Sequence, residues 1–571
     1  MSAVFLLFSS LLIRIFWPRW KPDIHWICPA LAIALPFSTG GFHIATSAVM
    51  ALFLTIALLE QLRKNNSVRI YISPISVSVF LLFLSYCATP LWAADQGMAA
   101  MALPKYLPLV LFILFLMQVT DNTQQQILHM IPVCGCLMTL VSILSLASPV
   151  LYHNVTVNGR LAGFFQYPNS FAAFLLVGLI VQGFHIRRKI HFFICFLLMI
   201  GIVLSGSKTV FVLMLLFMAA IALTKRQTSL TSILSVALIC SLGTGIVADK
   251  LNLLSNADRF TDIRASSGTF LVRLLYFRDV LPSILSSPFG IGYMGYPAIE
   301  GSIQTGRYYV SYIHNGLLQL LLEAGWLPAI LIAPSLFSFL FSSKTPIMQR
   351  FILLAVLAHC MLDFDLQFCI FWILLLSCVD IHKGRMLVIK QINIIRFAAA
   401  ILAASSLWLG CGDLLYRMEK PDLCLRIVPF HTEALTYQMS VSKDIQEMDH
   451  MADQILSLNP IHSLALSAKA NVAFSKGDIS AMIQHKEAAI QSSRYSTAEY
   501  CDYFEKLYTA MQAYLQAGDM SSAVYCRNKL LQIPEMMAAV SQETHPLAAM
   551  TGDDSSLALP SEYVTILQQL Q

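Results

Sequence analysis

From residue 2 to about residue 411 the chain repeats one pattern, a run of apolar residues followed by a short polar break. Apolar runs cover 2–17, 24–38, 42–62, 71–91, 105–120, 127–148, 165–184, 191–205, 209–223, 229–247, 313–342, 350–362, 366–380 and 393–411. A membrane-crossing helix needs roughly 20 apolar residues, and several of these runs are shorter, so about 12–14 crossings are expected. Past residue 411 the pattern changes to apolar positions at helical spacing among charged ones. The expected fold class is all-α. A polytopic membrane helix bundle spans 1–412 with a large outer loop at 248–312, and a soluble helical-repeat domain spans 413–571.

Charge placement orients the bundle, because cationic short loops stay in the cytoplasm. Such loops hold Arg63, Lys64 and Arg69; Arg187, Arg188 and Lys189; Lys225 and Arg226; Lys344 and Arg350; and Lys383, Arg385 and Lys390. The stretches 191–223 and 351–379 each begin and end beside such loops, so each must cross twice. Their breaks are Ser205-Gly206-Ser207-Lys208 and Asp363-Phe364-Asp365-Leu366-Gln367. This topology places Arg160, Lys208, Arg273, Arg278, His314, Asp363, Asp365 and the tail on the outer face. Polar groups are costly at membrane depth, so their convergence from distant regions of the chain suggests a site.

Composition narrows the classes. Hydrophobic residues make up 57% and charged ones 12%, about half the charge of a soluble domain. The net charge of +5 comes with no long basic run, which argues against nucleic acid as a partner. The 13 cysteines lie mostly within apolar runs and show no paired CxxC spacing, so neither a metal site nor a cofactor is expected. The first apolar run lacks a convincing cleavage site and is read as retained.

The densest polar signal is Tyr312 to Gly325, at the start of a long apolar run expected to form one helix. Asn315, Gln319 and Glu323 recur every fourth residue and form a polar stripe. His314 stands at the boundary between loop and membrane. Its position fits equally a base that titrates near neutral pH and a histidine that caps the helix start. Upstream, 267–285 reads as an amphipathic helix with Phe270, Leu271, Leu274, Phe277, Val280 and Leu281 on its apolar side, able to lie on the membrane as a lid. Arg273 and Arg278 are five residues apart and point to different faces.

His314-Asn315, nine residues, then Gly325 resembles the signature of the bacterial O-antigen ligase and O-antigen polymerase family. Pro328 stands where the family often has a second glycine. Looser resemblances are Gly159 to Phe165 with Tyr167-Pro168-Asn169, Leu204 to Lys208, Ser267 to Arg278, Pro288-Phe289-Gly290-Ile291-Gly292, and Asp363 to Gln367. The resemblance implies a metal-independent, inverting glycosyltransferase acting on a polyprenyl (undecaprenyl) pyrophosphate-linked glycan. It makes His314 the candidate base. A pyrophosphate leaving group needs cations, and Arg160, Arg273 and Lys208 are the candidates, with Asn315, Gln319, Glu323, Asp363 and Asp365 in support. Lys208 keeps the charge of the family's usual arginine without its bidentate fork. The acceptor is left open between a glycan, a lipid and a protein hydroxyl. A polymerase, a protein O-oligosaccharyltransferase and a glycolipid flippase stand as alternatives to a ligase.

In the tail, Gly477-Asp478 and Gly518-Asp519 each separate a pair of helix patterns, 41 residues apart. With Ala489, Ala523 and Asn459-Pro460 they resemble tetratricopeptide-like repeats. Such a surface would bind a protein partner or cap the membrane domain. The expected location is a bacterial inner membrane, with contacts to membrane lipids and the tail outside the cytoplasm.

Overall fold

The computed structural model describes residues 34–119, 121–185, 189–225, 228–251, 253–254, 268–550 and 557–570. The apolar run 2–17, most of 24–38, Arg187, Arg188, Arg226, Ser267 and a stretch of the outer loop lie outside these residues. Of the described residues, 77% are helical. Among the described residues, five helices are long and apolar enough to cross a membrane: Ile44–Lys64, Pro74–Leu91, Gln96–Leu116, Gln124–Ser145 and Ile392–Arg417. Shorter apolar helices join them, among them Pro168–Phe184, His191–Ser205, Lys208–Thr224, Trp326–Phe341 and Ile347–Cys360. It is an all-α polytopic membrane protein.

One of the short helices lies inside the bundle. Pro168–Phe184 is buried along almost its whole length and packs against Asp121–Ser145, Lys189–Ser205, Lys208–Lys225 and Ile347–Cys360. A helix walled by other helices has little lipid to match, so its length is set by its neighbours. Ile44–Asn65 and Ile392–Arg417 run antiparallel in close contact. A Cβ on Gly410 would stand 2.5 Å from that of Ala48, so only glycine permits this approach.

Two features fix the ends of the bundle. At one end Val68–Ile72 pairs antiparallel with Arg385–Ile389, joining two of the cationic loops in a small ladder. At the other, the Ala45 amide donates to Asp413 at 3.2 Å. Both helix breaks expected from the sequence form there. Lys189–Ser205 turns at Gly206 into Lys208–Lys225, and Ile347–Cys360 turns through 361–368 into Cys369–Ser377.

The run 313–342 is not the single helix expected. It is Gly316–Ala324 followed by Trp326–Phe341, broken at Gly325 with φ 88° and ψ 177°. The loop segment Pro288 to Gly292 wedges in and takes the carbonyls freed by the break. The Ile291 and Gly292 amides donate to the Leu322 and Glu323 carbonyls at 2.8 and 3.0 Å, and the Trp326 amide donates to Pro288 O at 2.9 Å. A Cβ on Gly325 would lie 2.6 Å from that same oxygen.

The outer-loop helix is Gly268–Ser286. Its buried side is Leu275, Tyr276, Val280 and Ile284, while Leu274 and Leu281 of the expected apolar side are exposed. The helix lies between Gly316–Ala324 and the tail segment Pro546–Ala549, and those contacts select a different stripe.

The tail is a series of antiparallel helices, from Pro421–Ile427 to Ser561–Leu570. Asp478 and Asp519 cap the second helix of each expected hairpin. The first pair has 13 and 14 residues and the second 20 and 23, so the two hairpins are not equal repeats. The expected domain boundary at 412/413 falls inside Ile392–Arg417, whose last turn is held by an Arg417–Asp413 ion pair at 3.0 Å.

Candidate functional site

Arg160 is aimed by a two-residue hairpin. Asn158 and Gly159 both take positive φ, 50° and 68°, between the strands Thr156–Val157 and Arg160–Leu161. Asn-Gly is the pair such a turn favours. Arg160 Nε donates to the Ser205 carbonyl at 2.7 Å, and Nη2 donates to Asn169 Oδ1 at 2.7 Å. The guanidinium therefore bridges the Gly206 turn and the start of the central helix. Lys208 opens the helix beyond that turn and is partly buried.

Asn169 carries the network onward. Its Nδ2 donates to Asp363 Oδ2 at 2.8 Å, and Tyr167 donates its hydroxyl to Asp363 Oδ1 at 2.9 Å. Asp363 is buried and also meets Arg273 Nη2 at 3.5 Å. Arg273 Nη1 donates to the Leu362 carbonyl. Burial pushes the Asp363 carboxyl up, but His314, Arg273, His359 and Asn169 outweigh it and hold the group below the usual carboxylate range. Arg160 and Arg273, 113 positions apart, are thus joined by one asparagine and one aspartate.

His314 sits beside Asp363 and Arg273. Its ring lies 5.6 Å from Tyr276 and 5.1 Å, edge-on, from Phe364. Its Nδ1 is buried with no hydrogen-bond partner. Burial pushes the imidazole down to about 4, with Asp363 opposing and Arg273 reinforcing the shift. At neutral pH the ring is uncharged, and one of its nitrogens has a free lone pair.

The supporting residues divide into two groups. Asn315 caps Gly316–Ala324, accepting from the Leu317 and Leu318 amides, and donates to the Met361 carbonyl at 3.0 Å. It ties His314 to the turn that carries Asp363. Asp365 accepts from Ser170 at 2.6 Å and pairs with His359, which holds the same turn from behind. Gln319 and Glu323 face away, into the bundle. Gln319 accepts the Ile313 amide at 2.7 Å and donates to Glu323, and Glu323 accepts from Tyr86 at 2.8 Å and from the Met294 amide at 3.2 Å. Arg278 points elsewhere, to Asp279 and Thr305, and is half exposed.

Tyr167, Asn169, Tyr276 and His359 complete the arrangement, and the sequence does not single them out as site residues. Asn169 has a signal, since a Pro-Asn pair opening an apolar run places a short amide at a helix start. Tyr276 has none, because its burial depends on the tail. His359 lies in an apolar run, where a lone histidine asks for a partner, and Asp365 is six residues on.

The family model of the O-antigen ligases matches residues 193–333, a segment that holds Lys208, Arg273, His314 and Gly325. This chain carries an O-antigen ligase family segment. No curated protein matches the chain. The O-antigen ligase segment and the apolar helices identify a membrane protein of glycan transfer. Arg160, Asn169, Asp363 and Asp365 lie outside the matched residues yet complete the same cluster.

Proposed function

We propose that the chain is an inverting glycosyltransferase that moves a glycan from polyprenyl pyrophosphate to a hydroxyl acceptor outside the cytoplasm. The observation that carries this reading is an imidazole with an unpartnered Nδ1 beside Arg273 and Asp363, the aspartate being joined through Asn169 to Arg160. His314 takes the acceptor proton as the hydroxyl oxygen attacks the anomeric carbon from the face opposite the leaving group. The bond to the pyrophosphate oxygen breaks, and its electron pair stays with the phosphate. Arg160, Arg273 and Lys208 take up that charge in place of a metal. Arrival of the pyrophosphate also strengthens the base, because nearby negative charge favours the imidazolium.

The positive-inside rule supports a cytoplasmic position for the cationic ladder end, and with it an outer-side position for this cluster and the tail in an inner membrane. A ligase is the first reading, with a polymerase differing only in that the acceptor is itself lipid-linked. The test is transfer from undecaprenyl-pyrophosphate oligosaccharide by the purified protein in vesicles. His314→Ala is expected to lower the rate by about 10²–10⁴-fold, the usual worth of a general base. An active, folded His314→Ala protein would remove the histidine from the chemistry.

A further inference from the structure

A polar cleft opens beside the cluster, between the membrane bundle and the tail. One chamber of about 450 Å³ is lined by His43, Gln166, Tyr416, Arg417, Glu419, Pro421 and Tyr437. A second of about 460 Å³ shares Tyr416 and Tyr437, then continues along Thr432, Glu433, Thr436 and Ser440 of the tail helix Thr432–Val441 to Asn459 and His462. On that helix Thr432, Thr436 and Ser440 repeat every fourth residue, as do Glu433 and Tyr437, so one face supplies both sets.

Both walls of the first chamber lead to the cluster. Gln166 precedes Tyr167, whose hydroxyl holds Asp363. His43 follows Phe42, whose ring meets Tyr312 at 5.7 Å and Phe364 at 6.3 Å, and Phe364 in turn packs on His314. The His43 Nδ1 is buried without a hydrogen-bond partner at this wall. Tyr437 is 48% exposed at the junction of the chambers.

We infer that this cleft is an oligosaccharide subsite, in which the tail and the bundle together grip the sugar chain that reacts at His314. This rests on the glycosyl-transfer reading and names where the glycan lies. Sugar hydroxyls both donate and accept, and the lining offers histidine, carboxylate, amide and hydroxyl groups that match them. The apolar faces of sugar rings suit flat tyrosines with a polar tip. Arg417 is already paired with Asp413, and Glu419, Glu433 and Asp95 are acidic. The balance therefore repels a phosphate and suits an uncharged chain. The tail residues sit firmly, because Asp95 of the bundle accepts from Thr432 at 2.7 Å and Asn459 at 3.3 Å.

The full-length protein in detergent is titrated by saturation-transfer NMR with two probes. One is the core oligosaccharide released by mild acid from the host's lipopolysaccharide, and the other is the glycan released by mild acid from its polyprenyl pyrophosphate. Binding of the first marks the cleft as an acceptor subsite and of the second as a donor-glycan subsite. Tyr437→Ala is expected to weaken binding about tenfold and to raise KM with little change in kcat. Tyr437→Phe keeps the ring without its polar tip and is expected to recover most of that binding. His314→Ala is expected to keep binding while losing transfer. Unchanged binding and KM in a folded Tyr437→Ala protein, no binding of either glycan to the parent, or displacement of both by a serine-rich peptide overturns the proposal. Transfer by the parent is measured alongside. Transfer that survives with binding unaffected by Tyr437→Ala sinks the cleft alone, and Tyr437-dependent binding without transfer sinks the catalytic reading alone.

Discussion

His314 and Glu323 lie nine residues apart in one segment, yet their surroundings are opposite. Glu323 is fully buried, and its oxygens accept from Tyr86, Gln319 and the Met294 amide. His314 keeps a buried ring nitrogen with no partner. Both are polar groups in an apolar setting, where an unmade hydrogen bond is expensive. The glutamate has all its neighbours and fixes the helix break to the loop. The histidine keeps a nitrogen that a reacting hydroxyl can meet. Valence left open, more than polarity itself, separates chemistry from scaffolding here.

The sharpest break in this contrast comes from removing each side chain. His314→Ala is expected to lose transfer by about 10²–10⁴-fold, while the thermal midpoint in detergent stays near that of the parent. Glu323→Ala is expected to do the reverse. It strands three donors, two of them buried, and each buried one is worth about 1–3 kcal/mol when left unpaired, so a loss of roughly 3 kcal/mol of stability is expected. Glu323→Gln restores an acceptor and is expected to recover most of it. Equal thermal midpoints for Glu323→Ala and the parent would undo the contrast.

Acid titration comes next in size. Burial holds His314 at about 4, below the ordinary histidine value of 6.5. A base acts when unprotonated, so kcat/KM is expected to stay level from pH 7 to about pH 5 and to halve only near pH 4. The linked stability effect has its own sign. The unfolded chain takes up the proton first, so this group's contribution is present above pH 6.5 and is lost as the pH falls towards 4. An inflection in kcat/KM near pH 6.5 that His314→Ala removes would show a solvated imidazole.

Much of this arrangement is legible in the sequence, for identifiable reasons. The two short hydrophobic arms on each side of Gly206 and Asp363 follow from cationic loops at both outer ends, since a chain that starts and ends on one side must turn between. His314 and Arg273 stand out as polar groups where polarity is costly. The break at Gly325 is harder to read, because the apolar run continues from Gly316–Ala324 into Trp326–Phe341 and the wedge of Pro288 to Gly292 separates them. The stripe of Gly268–Ser286 that packs against protein is hard to read for a related reason. Periodicity reports that a face is apolar, and the distant tail segment Pro546–Ala549 decides which face is covered.

The smallest expected effect concerns a turn. Asn158 and Gly159 sit at φ 50° and 68°, and their tight hairpin points Arg160 at Ser205 and Asn169. An alanine at position 159 carries a Cβ into the left-handed region, at a cost of roughly 1–2 kcal/mol. Neither turn residue touches the proposed donor, and both stand outside the residues matched by the family model. Gly159→Ala is therefore expected to lower transfer several-fold by loosening Arg160, mainly through KM for the lipid-linked donor, with the rest of the cluster intact. Arg160→Ala removes the same contact outright and sets the floor. If Gly159→Ala transfers as fast as the parent while Arg160→Ala does not, the arginine finds its place through Ser205 and Asn169 alone. The hairpin would then be a connector, and the aiming would belong to the two acceptors.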